Sequence, residues 1–510
     1  MRSVPPGLRL PRLGLILLFV TLFTAWADRP LAIAVDVESA RTGDSTPVVL
    51  VVFDELPTAN LMTGDGRRID ARRFPNFAAF AEGATWYRDN ATVGDFTAWA
   101  VPAIFSGNAH GMYTLPVTES YPENIFTLLG PGRQIHSFEK LTELCPRSLC
   151  PGNGQGRIVG ADNAVDFVKR KFEAFDPVET SLWINNIPAG RNTLTVAHIN
   201  SPHQPLRYTP EGKTYPGGPL AMPSDLDLDG WSVDESGIAF IQQRHLIQTG
   251  YADLLLGRIV RKIRNNGDYD RAIIVLTADH GISFDPEELR RDATAGNVGA
   301  VVNPLLMVKY PRQRSGVVSG LATQSIDILP TIADWIGAQM PETDGVPVNE
   351  IPENRQIKVE RYLKEPLVTN VEDIRADRSE VIADQFSRLG SGSLWQLGPR
   401  PGLIGQKPGP VPRFRHGSAT LFAPWRIENA DRDRDQVPAL ISGVLEGMES
   451  GDLVALAWNG RIVGTTRAFS HSNRIRFGVM VPPSVMKRSR NRVDLYTSGP
   501  QGRLRQLPLD

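Results

Sequence analysis

A chain of 510 residues is too long for one ordinary hydrophobic core. With 41% hydrophobic and 22% charged residues it has the balance of a folded globular protein, which excludes a disordered one. A net charge of −1 gives no reason to expect nucleic acid or another polyanion as a partner.

Arg2, Arg9 and Arg12 precede an apolar run at residues 13–27, and Ala25-Trp26-Ala27 resembles a small-residue cleavage site before Asp28. The run has 15 residues, whereas a spanning helix wants about 20. Residues 1–27 therefore read as a signal peptide or, if uncut, an N-terminal anchor, and either form sends the bulk of the chain out of the cytoplasm. Residues 28–46 are a polar linker. Residues 48–53 are a continuous apolar, β-branched run, as in a strand buried on both faces of a parallel sheet, and they end at Asp54 and Glu55. Residues 74–80 have helical apolar spacing. Cys145 and Cys150 are the only cysteines; in an oxidising compartment they close a small surface loop as a disulfide, and a thiolate metal site would lack further soft ligands. Residues 238–265 read as a long amphipathic helix with Leu246, Tyr251, Leu254 and Ile259 on its apolar face. A second buried strand at 272–276 leads into Asp279-His280-Gly281, a third lies at 304–308, and 326–335 opens another helix. Strands alternating with helices predict an α/β fold with a mostly parallel sheet. Ligands gather beyond the carboxyl ends of such strands, where Asp54 and Asp279-His280 stand.

The texture changes after residue 345. Residues 346–417 read as a connecting segment completing the domain of 47–345, with a stretch rich in Pro, Gly and Arg from 396. Residues 418–510 predict a small all-β domain, sandwich-like, whose clearest sign is Asn459-Gly460 between two short strands, a type I′ hairpin. Asp431 to Asp435 alternates acids with arginines, but Gln436 stands where a calcium loop needs glycine, so a charged surface loop is expected. The basic run 487–492 lacks the interleaved aromatics of a single-strand binder.

Asp54 and Glu55 offer hard oxygen ligands at one strand end, and Asp279 with His280 an oxygen and a nitrogen at another. That mixture suits manganese, zinc or magnesium better than a soft metal. A lone acid at a strand end is ordinarily a helix cap or a solvated turn; several at corresponding ends weaken that reading.

The segment 48–55 resembles the opening strand of sulfatases and their phosphoryl-transferring relatives in the alkaline phosphatase superfamily. Thr277-Ala-Asp-His-Gly281 resembles their later metal motif, and Arg73-Phe-Pro-Asn-Phe-Ala-Ala-Phe-Ala-Glu-Gly83 their Pro-Asn helix. Sulfatases carry the nucleophile ten residues before a Ser-Gly or Thr-Gly, and ten residues before Gly107 stands Thr97. The resemblance covers about 47–345. It implies a sandwich with a central, mostly parallel sheet flanked by helices, and a covalent nucleophile at Thr97. It also implies one divalent ion held by Asp54, Thr97, Asp279 and His280, with Glu55 as a weaker ligand and manganese ahead of zinc, magnesium or calcium. Two-metal relatives add an Asp-x-x-x-His spacing that residues 190–260 lack.

The departure from the sulfatase pattern lies at the nucleophile itself. Sulfatases need Cys or Ser there to make a formylglycine aldehyde; oxidised threonine would be a ketone. Threonine is what the phosphodiesterase, phosphoglycerol-transferase and phosphoethanolamine-transferase branches use. Thr97 reads equally as a helix N-cap, which is compatible with a phosphate seated on the helix start. His203, in His198-Ile-Asn-Ser-Pro-His203-Gln-Pro205, resembles the family's His-x-Pro segment and is implied to touch substrate oxygens or protonate the leaving group. His198, on the preceding strand, reads as structural. Lys309, Arg290 and Arg291 are weaker candidates for binding the substrate anion. The implied activity is phosphate-ester hydrolysis or transfer outside the cytoplasm, on a lipid headgroup or envelope polymer, with membrane association through the N-terminal segment. A sulfuric ester hydrolase and a catalytically silent polymer-binding protein are the alternatives.

Overall fold

The computed structural model describes residues 45–111, 113–151, 161–173, 179–216, 230–499 and 502–510. The leader at 1–27, and all of the linker but its last two residues, lie outside them.

Seven strands form the central sheet: β1 (Val48–Asp54), β2 (Thr85–Tyr87), β3 (Gln134–Phe138), β4 (Thr193–Pro202), β5 (Ile273–Ala278), β6 (Leu306–Lys309) and β7 (Val317–Ser319). Their order is β3-β4-β1-β5-β6-β2-β7. Every residue of β1, β4 and β5 is buried, which is why residues 48–53 and 273–276 are continuous apolar runs rather than alternating ones; β4 is buried as fully but carries Thr193, Thr195, His198, Asn200 and Ser201. β3, β4, β1 and β5 run parallel, while β6 runs antiparallel to both β5 and β2. The sheet is thus mostly parallel, as expected, with one reversed strand. Register pairs Val49 with Thr195 on one side and with Ile274 on the other. The carboxyl ends of β1, β4 and β5 therefore share one rim.

The long helix is Glu235–Asn265, started by Asp234, whose carboxylate accepts the Gly237 N–H, and ended with Lys262 and Arg264 in its last turn. Leu246, Tyr251 and Ile259 are buried and Leu254 is half-buried, so the expected face is the packed one. Asp253 on this helix accepts the N–H groups of Asn76 and Phe77 and the Asn76 side-chain amide. The Pro-Asn motif thus has a mechanical reason: proline starts the helix Pro75–Ala81, and asparagine docks it on its long neighbour. The helix expected at 326–335 is a 3₁₀ turn, Ser325–Asp327, followed by the α-helix Ile328–Ile336.

Residues 346–417 hold the hairpin β8 (Ile357–Arg361) and β9 (Lys364–Thr369) and the helix Val371–Leu389. Eight further strands follow: β10 (Ser418–Leu421), β11 (Leu440–Glu446), β12 (Leu453–Trp458), β13 (Arg461–Arg467), β14 (Phe469–His471), β15 (Arg474–Met480), β16 (Val493–Ser498) and β17 (Leu504–Leu507). They make two four-stranded antiparallel sheets, β10-β11-β15-β14 and β13-β12-β16-β17. Asn459 and Gly460 have φ of 52° and 81°, the two positive values a type I′ turn requires. Cys145 and Cys150 are joined as a disulfide. The acidic loop and the basic run meet on the surface, where Arg488 pairs with Asp433 at 2.9 Å. Among the described residues no helix is long and apolar enough to cross a membrane.

Candidate active site

Asp54 ends β1 and Asp279 follows β5 on the adjacent strand, with the Asp279 N–H donating to the Phe53 carbonyl at 3.1 Å. The Asp279 carboxylate is itself oriented by backbone: Oδ1 accepts the N–H groups of His280 at 2.7 Å and Glu55 at 3.2 Å. Glycine must follow His280, because a Cβ at Gly281 would stand 1.9 Å from the Ala300 carbonyl oxygen. His280 Nδ1 donates to the Gly281 carbonyl at 2.9 Å, which leaves Nε2 as the ring's lone-pair atom. One donor atom each from Asp54, Asp279 and His280 falls within 4.8 Å of the others, and all three residues are buried.

Thr97 comes to this trio from a helix. It is the first residue of Thr97–Ser106, and Phe96 occupies the cap position, so the threonine hydroxyl is not used for capping. Its Oγ1 donates to Asp279 Oδ2 at 2.8 Å and lies 3.4 Å from His280 Nε2. The helix start is wedged by Trp99, whose indole packs where a side chain on Gly94 would be and whose N–H donates to the Glu360 carbonyl at 3.3 Å.

The electrostatics are those of an unfinished cluster. Asp54 is 1% exposed, yet neither carboxylate oxygen has a hydrogen-bond partner among the described residues. Burial, and then the neighbouring Asp279 carboxylate, push its pKa well above the usual carboxylate range. His198 is also fully buried, with neither ring nitrogen hydrogen-bonded among the described residues, and its Nε2 lies 3.8 Å from both Asp54 Oδ2 and Asp279 Oδ2. Burial pulls its pKa down to about 4 and that of His280 down as well, so both imidazoles are neutral donors at pH 7. Two carboxylates and two neutral imidazoles, of which Asp54 and His198 have no hydrogen-bond partner among the described residues, are a donor set that fits a divalent cation of the manganese or zinc type.

The remaining candidates sort by strand direction and pairing. Glu55, at φ 60°, stands outside the trio and is paired with arginine: its Oε1 accepts Arg291 Nε at 2.6 Å, with Arg290 Nη1 at 3.3 Å. The Arg291 guanidinium lies over the Phe96 ring at 5.4 Å, beside the helix that begins at Thr97. His203 Nε2 is 3.9 Å from Glu55 Oε1, its Nδ1 donates to the Gln204 carbonyl at 2.6 Å, and its backbone N–H donates to the Asp54 carbonyl. Gln248 pins this loop, donating to the carbonyls of Pro202 and His203 and accepting from the N–H groups of Arg207 and Tyr208.

Lys309 must be corrected. It is buried, with Nζ donating to the Tyr310 carbonyl, and it pairs with Ile274 at the amino end of β5. Five residues separate Ile274 from Asp279, roughly 16 Å at strand rise, so Lys309 is at the wrong end of the sheet for substrate. The reversal of β6 is the cause. His198 is the opposite case, expected to be structural and found against both carboxylates. The cue was its place five residues before His203, but a strand buried on both faces shows no face to read.

The model of a family described as sulfatase matches residues 47–338, more than half of the chain. The multifunctional alkaline phosphatase superfamily protein PehA of Trinickia caryophylli is 27% identical over 117 residues, which is 22% of this chain and 22% of that protein. The inner membrane protein YejM of Salmonella typhimurium is 24% identical over 134 residues, 26% of this chain and 21% of the relative. The matches thus span about a fifth of each curated relative's length. Among solved structures, the phosphonate monoester hydrolase SpPMH of Silicibacter pomeroyi aligns with a TM-score of 0.44 at 19% identity, over 64% of this chain and 81% of that one.

Proposed function

Since this chain belongs to the sulfatase family, we propose that it is an exported, metal-dependent phosphate-ester hydrolase or phosphotransferase with Thr97 as its covalent nucleophile. The observation that carries the reading is the Thr97 hydroxyl, held 2.8 Å from Asp279 Oδ2 at the edge of the buried trio. Asp54, Asp279 and His280, with Thr97 Oγ1, would hold the cation. When bound, a divalent ion of this kind supplies the positive charge that makes an alcohol nucleophilic and draws electron density from a phosphoryl oxygen.

The chain's own groups supply the rest. The Thr97 proton already points at a carboxylate oxygen, so it has a route away as Oγ1 closes on phosphorus. The Oγ1–P bond forms, the bond from phosphorus to the ester oxygen breaks, and the departing alkoxide takes a proton. His203 is the donor: its Nδ1 proton is committed to a carbonyl, so a second proton on Nε2, beside the Glu55 carboxylate, is the one it can give. Arg291 and Arg290 bring positive charge to the same corner, where a phosphoryl group adds oxygens to the single carboxylate they share. Water then attacks phosphorus and releases Thr97; an alcohol in its place makes the reaction a transfer. Threonine cannot become an aldehyde, which favours phosphate over sulfate esters. An envelope substrate, a lipid headgroup or polymer, is favoured by the leader-like N-terminal segment and by a relative named as an inner membrane protein.

The test is a panel of 4-nitrophenyl phosphodiester, phosphomonoester and sulfate, assayed with manganese, zinc, magnesium or calcium beside Thr97→Ala. Metal-dependent turnover of a phosphate ester, lost in the variant, is expected. Preference for the sulfate would overturn the substrate class. No metal-dependent turnover of any of them would favour the silent binding protein.

A further inference from the structure

We infer that His198 is a second imidazole ligand of the cation, so that the site holds its ion by Asp54, Asp279, His280, Thr97 and His198; this rests on reading the cluster as a metal site. His198 sits on β4, opposite Val52 of β1, and its ring enters the gap between the two carboxylates.

Metal–ligand bonds to oxygen and nitrogen of about 2.0–2.2 Å put neighbouring donor atoms roughly 3–4 Å apart. The separations here are 2.8 Å for Thr97 Oγ1 to Asp279 Oδ2, 3.4 Å for Thr97 Oγ1 to His280 Nε2, and 3.5 Å for His280 Nε2 to Asp279 Oδ2. The two from His198 Nε2, to Asp54 Oδ2 and Asp279 Oδ2, are 3.8 Å each. The four longer separations fall in that range, the 2.8 Å one is a hydrogen bond, and the His198 pair is too long for hydrogen bonds.

Two other packed histidines each find a partner for one ring nitrogen, though His245 Nε2 has none among the described residues. His136 meets the Trp183 carbonyl at 2.9 Å, and His245 meets the Asn60 amide at 3.2 Å. A core histidine is placed by such bonds; His198 has none among the described residues and faces two acids instead. A second neutral nitrogen would also move the site's preference from magnesium or calcium toward manganese or zinc.

The full chain, stripped with a chelator and reloaded with Mn²⁺, provides the test by pulsed electron paramagnetic resonance and calorimetric titration. The wild type should show couplings from two inequivalent imidazole nitrogens, and His198→Gln and His280→Gln from one each. Mn²⁺ affinity should fall about tenfold or more in His198→Gln, with the circular dichroism spectrum unchanged. A single coupled imidazole in the wild type, unaltered by His198→Gln, would overturn the inference and leave the metal site standing. A chain that takes up neither Mn²⁺ nor Zn²⁺ would sink the metal site and this ligand together. Should His198→Gln fail to fold, the nitrogen count of the wild type decides alone.

Discussion

Two buried clusters of charge in this protein are built on opposite terms. Asp89 is completely buried and fully engaged: Oδ1 accepts Arg378 Nη2 at 2.8 Å, and Oδ2 accepts Arg375 Nε and Nη2 at 2.8 and 2.7 Å. Arg378 spends its other nitrogen on the Asn303 side chain and the Arg88 carbonyl. Asp54 is as deeply buried and has no hydrogen bond to either oxygen among the described residues, while His198 Nε2 stands 3.8 Å from both its Oδ2 and that of Asp279. A closed cluster ties the helix Val371–Leu389 to the segment after β2, and its charges have nothing left to offer. The open cluster holds repulsion that an added cation, or a proton on Asp54, relieves. Burial alone does not mark function; what sets the open cluster apart is buried charge without a partner beside a second carboxylate.

The largest effect should come from the open side. Thr97→Ala is expected to lower kcat/KM by about 10⁴-fold or more while leaving the thermal midpoint unchanged, as followed by chromogenic phosphodiester turnover and a melting curve. Retained turnover would mean that another group attacks.

Next, the two clusters should respond in opposite directions when a carboxylate is removed. Asp89→Ala strands the buried Arg378 guanidinium and frees the half-exposed Arg375, and should cost about 3–5 kcal/mol in urea titration. Asp54→Asn removes one of two opposed carboxylates, so the metal-free protein should be no less stable than wild type. Equal destabilisation by both would erase the distinction drawn here.

How much of this could be read without coordinates follows from the same physics. Asp54 and Asp279 were legible because strands buried on both faces are apolar runs, and the acids stand where the runs stop. Thr97 was legible through its distance from Gly107. That distance is the length of one helix, with Thr97 at its first position and Gly107 as the left-handed cap, at φ 74°. Strand direction was not legible: an apolar run of residues 304–308 looks the same in either sense, and the antiparallel β6 carries Lys309 away from the rim. The Glu55–Arg291 bond joins residues 236 apart, and no local pattern announces it.

Glu139 stands between the two clusters, with backbone partners but no cation. Its Oε1 accepts the N–H groups of Leu144 and Cys145 beside the disulfide, and burial pushes its pKa up from 4.5 to about 7. The folded state therefore holds the proton over a range where the unfolded chain has lost it. Its contribution is present in full below about pH 4.5 and declines as pH rises through about 7. The decline is on the order of 3 kcal/mol, and Glu139→Gln should remove it from a series of urea midpoints taken across that range. An identical slope in the variant would place the titration elsewhere.

The smallest expected effect is the most specific to the open cluster. Mn²⁺ at about one hundred times its dissociation constant should stabilise the wild type by about 2.7 kcal/mol and Asp54→Asn by much less. Equal gains in both would locate the ion away from Asp54.

The central claim, that the buried acids and imidazoles of the open cluster exist to make the Thr97 hydroxyl reactive, is tested most directly by mass spectrometric mapping after rapid quenching with a phosphodiester substrate. A phosphoryl adduct on Thr97, formed only when metal is present, is the predicted result. An adduct on a different side chain, or one that forms equally well in chelator, would contradict it.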